Sequence, residues 1–278
     1  MSAPHARGEI EMKPNTSHNL RRGVTYKPTA ISYLDYCVNP VFGCTPVSEG
    51  CSRCWAAAWA KQTGRDFSQV KTDVKKMLGL QYAKFGTDNL RRGAGSKPLV
   101  GMCFLSDLFH PAVPAEFIVS AFEVMSYRKD VDWIVLTKRP ERMVSVLFGE
   151  EGNWYLGGGD FYDHILIGVT AENQARADER IPILLQNWAG PKWVSVEPQL
   201  EYVDLFAHIS QLSWIVNGGE SGPNRRPFNA QWAVNLYHQC LAANVRYFFK
   251  QGSATFPGQD DLLPGYSRVI HEFPQSRG

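Results

Sequence analysis

Residues 164–173, HILIGVTAEN, carry the reading of the fold: a short β-branched and aliphatic run breaks off into Thr170, Glu172 and Asn173. Six more runs share this form: ISYLDYCV (31–38), LVGMCFL (99–105), VDWIVL (131–136), KWVSV (192–196), LSWIV (212–216) and VRYFF (245–249). In that order they end in Asn39; Ser106 and Asp107; Thr137, Lys138 and Arg139; Ser195 and Glu197; Asn217, Gly218, Gly219, Glu220 and Ser221; Lys250 and Gln251. Short buried strands alternating with longer amphipathic stretches predict a parallel sheet with crossover helices. In a barrel of this kind the carboxyl ends of the strands open on one face, so the polar endings would ring a single pocket. The expected class is therefore α/β, a partial or complete TIM-like (βα) barrel. The competing arrangement is an open doubly wound sheet.

The intervening segments support this pattern. PAEFIVSAFEVMSY (114–127), ENQARADERIPILLQNW (172–188) and NAQWAVNLYHQCLAAN (229–244) repeat apolar positions at helical spacing, and the first opens on proline and an acid. Residues 1–30 are polar and aperiodic over most of their length and are expected to form a flexible arm, with Arg21 and Arg22 either solvated or touching phosphate. Residues 31–278 are expected to form one barrel domain. Two loops stand out. KFGTDNLRRGAGSK (84–97) is basic and glycine-rich, a candidate phosphate contact through Arg91 and Arg92; FGEEGNWYLGGGDFYD (148–163) is acidic and aromatic, a candidate lid.

The chemistry concentrates in GCTPVSEGCSRCWA (43–56), where Cys44, Cys51 and Cys54 follow a Cys-x6-Cys-x2-Cys spacing. The tight second pair is typical of metal ligands, and Gly43, Pro46 and Gly50 let the loop fold back so that three thiolates converge. Three readings stay open on spacing alone: an iron–sulfur cluster with one iron left free, a four-cysteine zinc site completed by Cys37, and unmetallated or redox thiols. Cys103 and Cys240 sit in apolar contexts and read as small buried hydrophobes. A zinc hydrolase would need histidines or carboxylates at strand ends, and His110 is the one histidine near such an end.

Composition bounds the remainder. The chain has 278 residues, 44% hydrophobic and 20% charged, with a net charge of +2 that neither announces nor excludes a nucleic-acid partner. No apolar run approaches membrane-spanning length and no secretory leader is visible, so a cytoplasmic protein without a membrane partner is expected.

The segments NPVFGCTPVSEGCSRCWA, FLSDLFHP, VLTKRPERM, IGVTAENQARADERIP, VSVEP, VNGGESGPNRRP and FFKQ, in that order, resemble a phage and prophage family characterised by a three-cysteine motif. That family is regarded as a divergent branch of the radical S-adenosylmethionine enzymes. Some phage members are implicated in thymidine hypermodification, a form of DNA modification that serves restriction evasion. There a radical enzyme isomerises an N-linked glycine on the thymine methyl carbon to a C-linked one. The resemblance implies a radical S-adenosylmethionine barrel holding a [4Fe-4S] cluster on Cys44, Cys51 and Cys54. It also implies S-adenosyl-L-methionine as cofactor, an electron-donating reductant, and modified thymidine in DNA or its nucleotide as substrate, in the host cytoplasm if the chain is phage-encoded. The sequence departs from the common Cys-x3-Cys-x2-Cys signature: the first interval is longer, and Trp55 follows the last cysteine instead of an aromatic preceding it.

Candidate roles follow for the strand ends. Ser106, Asp107, Thr170, Glu172, Asn173, Glu197, Gly218, Gly219 and Glu220 are the candidate cofactor-binding positions, and Lys138, Arg139 and Lys250 the candidate substrate-binding ones. Each has a structural alternative: Asp107, Thr170, Glu172 and Asn173 as helix caps, Lys138 and Arg139 in surface ion pairs, Glu197 in a buried ion pair, and Gly218 and Gly219 in a tight turn. The competing function is a zinc-stabilised nucleic-acid-binding module without radical chemistry.

Overall fold

The computed structural model describes residues 23–149 and 162–275. All seven apolar runs form strands of one sheet: β1 (Tyr36–Val38), β4 (Leu99–Met102), β5 (Asp132–Thr137), β6 (Ile165–Thr170), β7 (Lys192–Val196), β8 (Trp214–Gly218) and β9 (Arg246–Gln251). They stand in the order β1-β4-β5-β6-β7-β8-β9, every pair parallel. The result is an open half-barrel, a partial (βα) barrel. The helices are α1 (Trp55–Gln62), α2 (Val74–Gly79), α3 (Ala115–Tyr127), α4 (Pro140–Leu147), α5 (Gln174–Asn187) and α6 (Ala230–Ala243).

Strand side chains alternate between two cores, as a period of two requires. Val100, Val135, Ile167, Val194, Ile215 and Phe249 face outward into the layer shared with the helices, where Phe122, Ile181 and Leu236 meet them. Leu99, Ile134, Leu166, Trp193, Trp214 and Phe248 face inward with Tyr33 and Leu34. This inner core is aromatic: Trp193 and Trp214 lie with ring centroids 5.4 Å apart, and Tyr33 meets both edge-on. Room for the Trp193 indole comes from Gly168 on the neighbouring strand, where a Cβ would stand 2.5 Å from the ring. Continued by two residues at a time, the inward series reaches Lys138, Thr170, Ser195, Glu197, Gly218, Glu220 and Lys250. The inward face is therefore mainly apolar at the amino ends of the strands, apart from Asp132 with Arg92, and polar at the carboxyl ends.

Several details differ from the expectations. The β1–β4 crossover contains an antiparallel pair, β2 (Val41–Phe42) with β3 (Lys71–Thr72), whose two-residue strands leave no periodic signal. The β7–β8 connection holds no α-helix; Val203, Leu205, Ile209 and Leu212 fill that position, strapped to α6 by Gln239, which accepts from the Leu205 N–H and donates to the Val203 carbonyl. Of the expected flexible arm, residues 1–22, with Arg21 and Arg22, lie outside the described residues. Its remainder is not free: Tyr26 donates its N–H to Lys84, stacks on Phe85, and Thr29 N–H bonds Asp35. The candidate lid falls largely on residues 150–161, outside the described residues.

The basic loop also needs correction. Arg91 donates to the Leu34 and Thr29 carbonyls, and its backbone N–H to Asp35. Arg92 pairs with Asp132 at the first residue of β5, the two side chains 6% and 3% exposed. Both arginines lie at the amino ends of the strands, away from the cavity: Arg92 is drawn in by the buried Asp132, which needs a cation, while Arg91 stays exposed and ties the chain through backbone carbonyls.

Candidate active site

The cysteine loop crosses the carboxyl ends of the strands. Cys44 follows β2, Cys51 lies in a 3-10 turn spanning Glu49–Arg53, and Cys54 caps the start of α1. The loop is tied down through Glu172, which is fully buried and receives the Ser48 hydroxyl, the Gly50 N–H at 3.4 Å, Lys138 Nζ at 3.4 Å and Arg180 at 2.9 Å. Gly50 fits above this carboxylate because it has no side chain: a Cβ would stand 2.9 Å from Lys138 Nζ and 3.0 Å from Glu172 Oε1. A second clamp forms at Arg139, which donates to Asp107 at 2.8 Å and to the Thr45 carbonyl at 2.8 Å, and approaches Cys44 Sγ at 3.7 Å. Asp107 further accepts from Thr137 Oγ1 and the N–H groups of Phe109 and Lys138.

A cavity of ≈ 230 Å³ opens at this end of the barrel. Cys44, Cys51 and Cys54 line it, as do Ser106, Asp107, Lys138, Arg139, Thr170, Glu197, Gly219, Glu220 and Lys250. Three candidates do not. Glu172 is turned into the loop clasp, Asn173 caps α5 by accepting from the Arg176 N–H at 2.9 Å, and Gly218 is packed between Glu197 and Lys250. Ser106 lines the cavity, but its hydroxyl donates to the Val41 carbonyl at 3.1 Å. Glu220 is held by Arg226 through its backbone N–H and guanidinium, with Arg53 at 3.9 Å. His110 meets Thr45 Oγ1 at 2.8 Å, so it braces the loop.

Residues outside the expected set also line the cavity: Tyr33, Trp55, Phe104 and Arg53. Tyr33 and Phe104 fall inside apolar runs and carry no signal separating wall from core. Trp55 was visible only as the aromatic after the last cysteine; it is 52% exposed at the cavity edge.

The thiols are electrostatically distinct. Burial raises the Cys44 thiol above the ordinary cysteine value although Arg139 opposes it. At Cys51 burial acts in the same sense, but Lys138 and the loop's hydrogen bonds from Val47 and Ser48 outweigh it and lower the thiol. Among the described residues, no group of three or more His, Cys, Asp or Glu is placed to hold a single metal ion. Cys37 does not join the cavity; its sulfur sits against Asn39. Cys103 and Cys240 are buried free thiols, as expected.

Fold and site together define a partial (βα) barrel with a three-cysteine loop over the carboxyl ends of its strands. The chain belongs to the family described as Protein of unknown function (DUF5131), whose model matches residues 28–260. No curated protein and no solved structure matches the chain. Among the described residues, no helix is long and apolar enough to cross a membrane.

Proposed function

We propose that this chain is a radical S-adenosylmethionine enzyme holding a [4Fe-4S] cluster, and that it isomerises N-linked glycinylthymidine to the C-linked form in phage DNA hypermodification. The observation that carries this reading is that three thiols from one loop, and no fourth cysteine, line the cavity at the carboxyl ends of a parallel barrel. A donor set of three suits a cluster with one iron open to a ligand better than a tetrahedral zinc site, which needs a fourth. The family resemblance supplies the substrate.

Cys44, Cys51 and Cys54 would hold the cluster. When bound with S-adenosylmethionine and a reductant, it supplies a 5′-deoxyadenosyl radical able to abstract hydrogen from an unactivated carbon. The protein's own residues hold the geometry. Glu172 and Arg139 fix the two ends of the cysteine loop, and Lys138 and Arg139 place positive charge beside the Cys51 and Cys44 sulfurs. Phe104, Leu105 and Leu136 form an apolar wall that keeps water from a reactive intermediate. The cavity carries both signs, with Asp107, Glu197 and Glu220 against Arg53, Lys138, Arg139 and Lys250. That balance suits ligands that are themselves zwitterionic. A thymine in duplex DNA must leave the stack to enter.

The test is anaerobic reconstitution with iron and sulfide, reduction in the presence of S-adenosylmethionine, and assay for 5′-deoxyadenosine. Production that disappears in the Cys44→Ala, Cys51→Ala and Cys54→Ala variants is the expected result, followed by conversion of N-linked glycinylthymidine DNA. Retention of zinc with no 5′-deoxyadenosine would reject the reading.

A further inference from the structure

Glu197 follows β7 and Lys250 lies near the end of β9, with β8 between them. Their side chains meet over Gly218 of β8, where a Cβ would stand 3.3 Å from Glu197 Oε1 and 3.5 Å from Lys250 Cβ. Lys250 Nζ lies 2.9 Å from Glu197 Oε1, and Ser195 donates to the other oxygen at 3.2 Å. The ammonium contact lacks hydrogen-bond alignment, and Oε1 is buried without a hydrogen bond.

The other buried carboxylates of this end are saturated. Asp107 takes four donors, Glu172 is bound by Ser48, Gly50, Lys138 and Arg180, and Glu220 is wrapped by Arg226. An ion pair that serves only the fold is expected to be satisfied in the same way, because each unmet bond of a buried charge is costly. Glu197, which also meets the buried Tyr33 hydroxyl, and Lys250 instead reach the cavity, with side chains 11% and 25% exposed, and Oε1 keeps no aligned donor. The Tyr33 ring, 5.7 Å from Lys250 Nζ, helps to hold the ammonium in place.

We propose that Glu197 and Lys250 together receive an α-amino-acid zwitterion, Glu197 accepting from its ammonium and Lys250 donating to its carboxylate. Two molecules bring that group here, the glycyl unit of the modified thymidine and the methionine end of S-adenosylmethionine; this choice of carriers rests on the function proposed above. Gly218 is then the residue whose missing side chain lets the two charges act on one ligand.

Calorimetric titration of the reconstituted full-length protein tests this with four probes. They are N-linked glycinylthymidine nucleoside, the same nucleoside lacking the carboxylate, S-adenosylmethionine, and its decarboxylated form. The wild type is expected to prefer a carboxylated probe by about 10- to 100-fold. That preference should vanish in Lys250→Met and in the double variant Glu197→Gln/Lys250→Met, which leaves no unpaired buried charge and whose folding is checked by thermal melting. Loss of the nucleoside preference assigns the receptor to the glycyl unit; loss of the S-adenosylmethionine preference assigns it to the methionine end. The proposal is overturned if the wild type shows neither preference, or if both survive in the folded double variant. Production of 5′-deoxyadenosine is scored separately: its absence beside an intact carboxylate preference rejects the radical reading and keeps the receptor.

Discussion

Glu172 is fully buried at the base of the cysteine loop. Burial opposes its ionisation, but Lys138 and Arg180 outweigh this and hold the carboxyl below the ordinary value of 4.5. A folded-state value below the unfolded one contributes stability that is present above the unfolded value and lost as the pH falls through the folded one. Replacing Glu172 with Gln strands two cations, so a loss of about 3 kcal/mol is expected at pH 7. The gap between variant and wild type should narrow in acid. Urea midpoints for both proteins across pH 7 to 3 measure this, and a gap that stays constant would reject the loop-clasp assignment.

Among the elements, the loop between Lys84 and Lys97 shows how composition can mislead. Its glycines and paired arginines carry the signature of a phosphate contact, yet Arg92 is nearly enclosed against Asp132. Arg92→Met is therefore expected to cost about 3 kcal/mol of stability, read as a lower melting temperature. DNA retention at low salt should be unchanged; weakened retention in the folded variant would restore the loop as a DNA contact. The cysteine loop is the opposite case. Its spacing announced ligands, and the fold sets all three beside one cavity, anchored by residues 95 and 124 positions away along the chain.

For the whole molecule, an open half-barrel leaves its last strand, β9, at an edge that invites pairing with other chains. Residues 270–273 cover it: Phe249 N–H donates to Ile270, Glu272 N–H to Tyr247, and His271 stacks on Phe248 with centroids 4.2 Å apart. Phe273 closes over Trp214 and Phe248 at the amino ends of the strands. Deleting residues 269–278 is expected to lower the melting temperature and to promote association, read by light scattering. A monomeric product of unchanged stability would show that the edge needs no cover.

The amino-acid sequence by itself determined the seven strands, their polar endings and the three-cysteine loop, because a period of two and a ligand spacing are written in consecutive residues. It also carried α3, α5 and α6, whose length lets helical periodicity repeat, but not α4, with eight residues, or the β2–β3 pair, with two in each strand. Only the tertiary structure decided which polar endings face the cavity and which are consumed. Glu172 and Asn173 follow the same strand as Thr170, yet one clasps a loop and the other caps a helix while Thr170 lines the cavity. The pairing of Glu197 with Lys250 depends on strand order and register across β8, and Tyr33 becomes a cavity wall because the barrel curls around it. Periodicity is a local property of the chain. The partner of a buried charge is chosen by the fold, from whatever groups the sheet brings within a few ångströms.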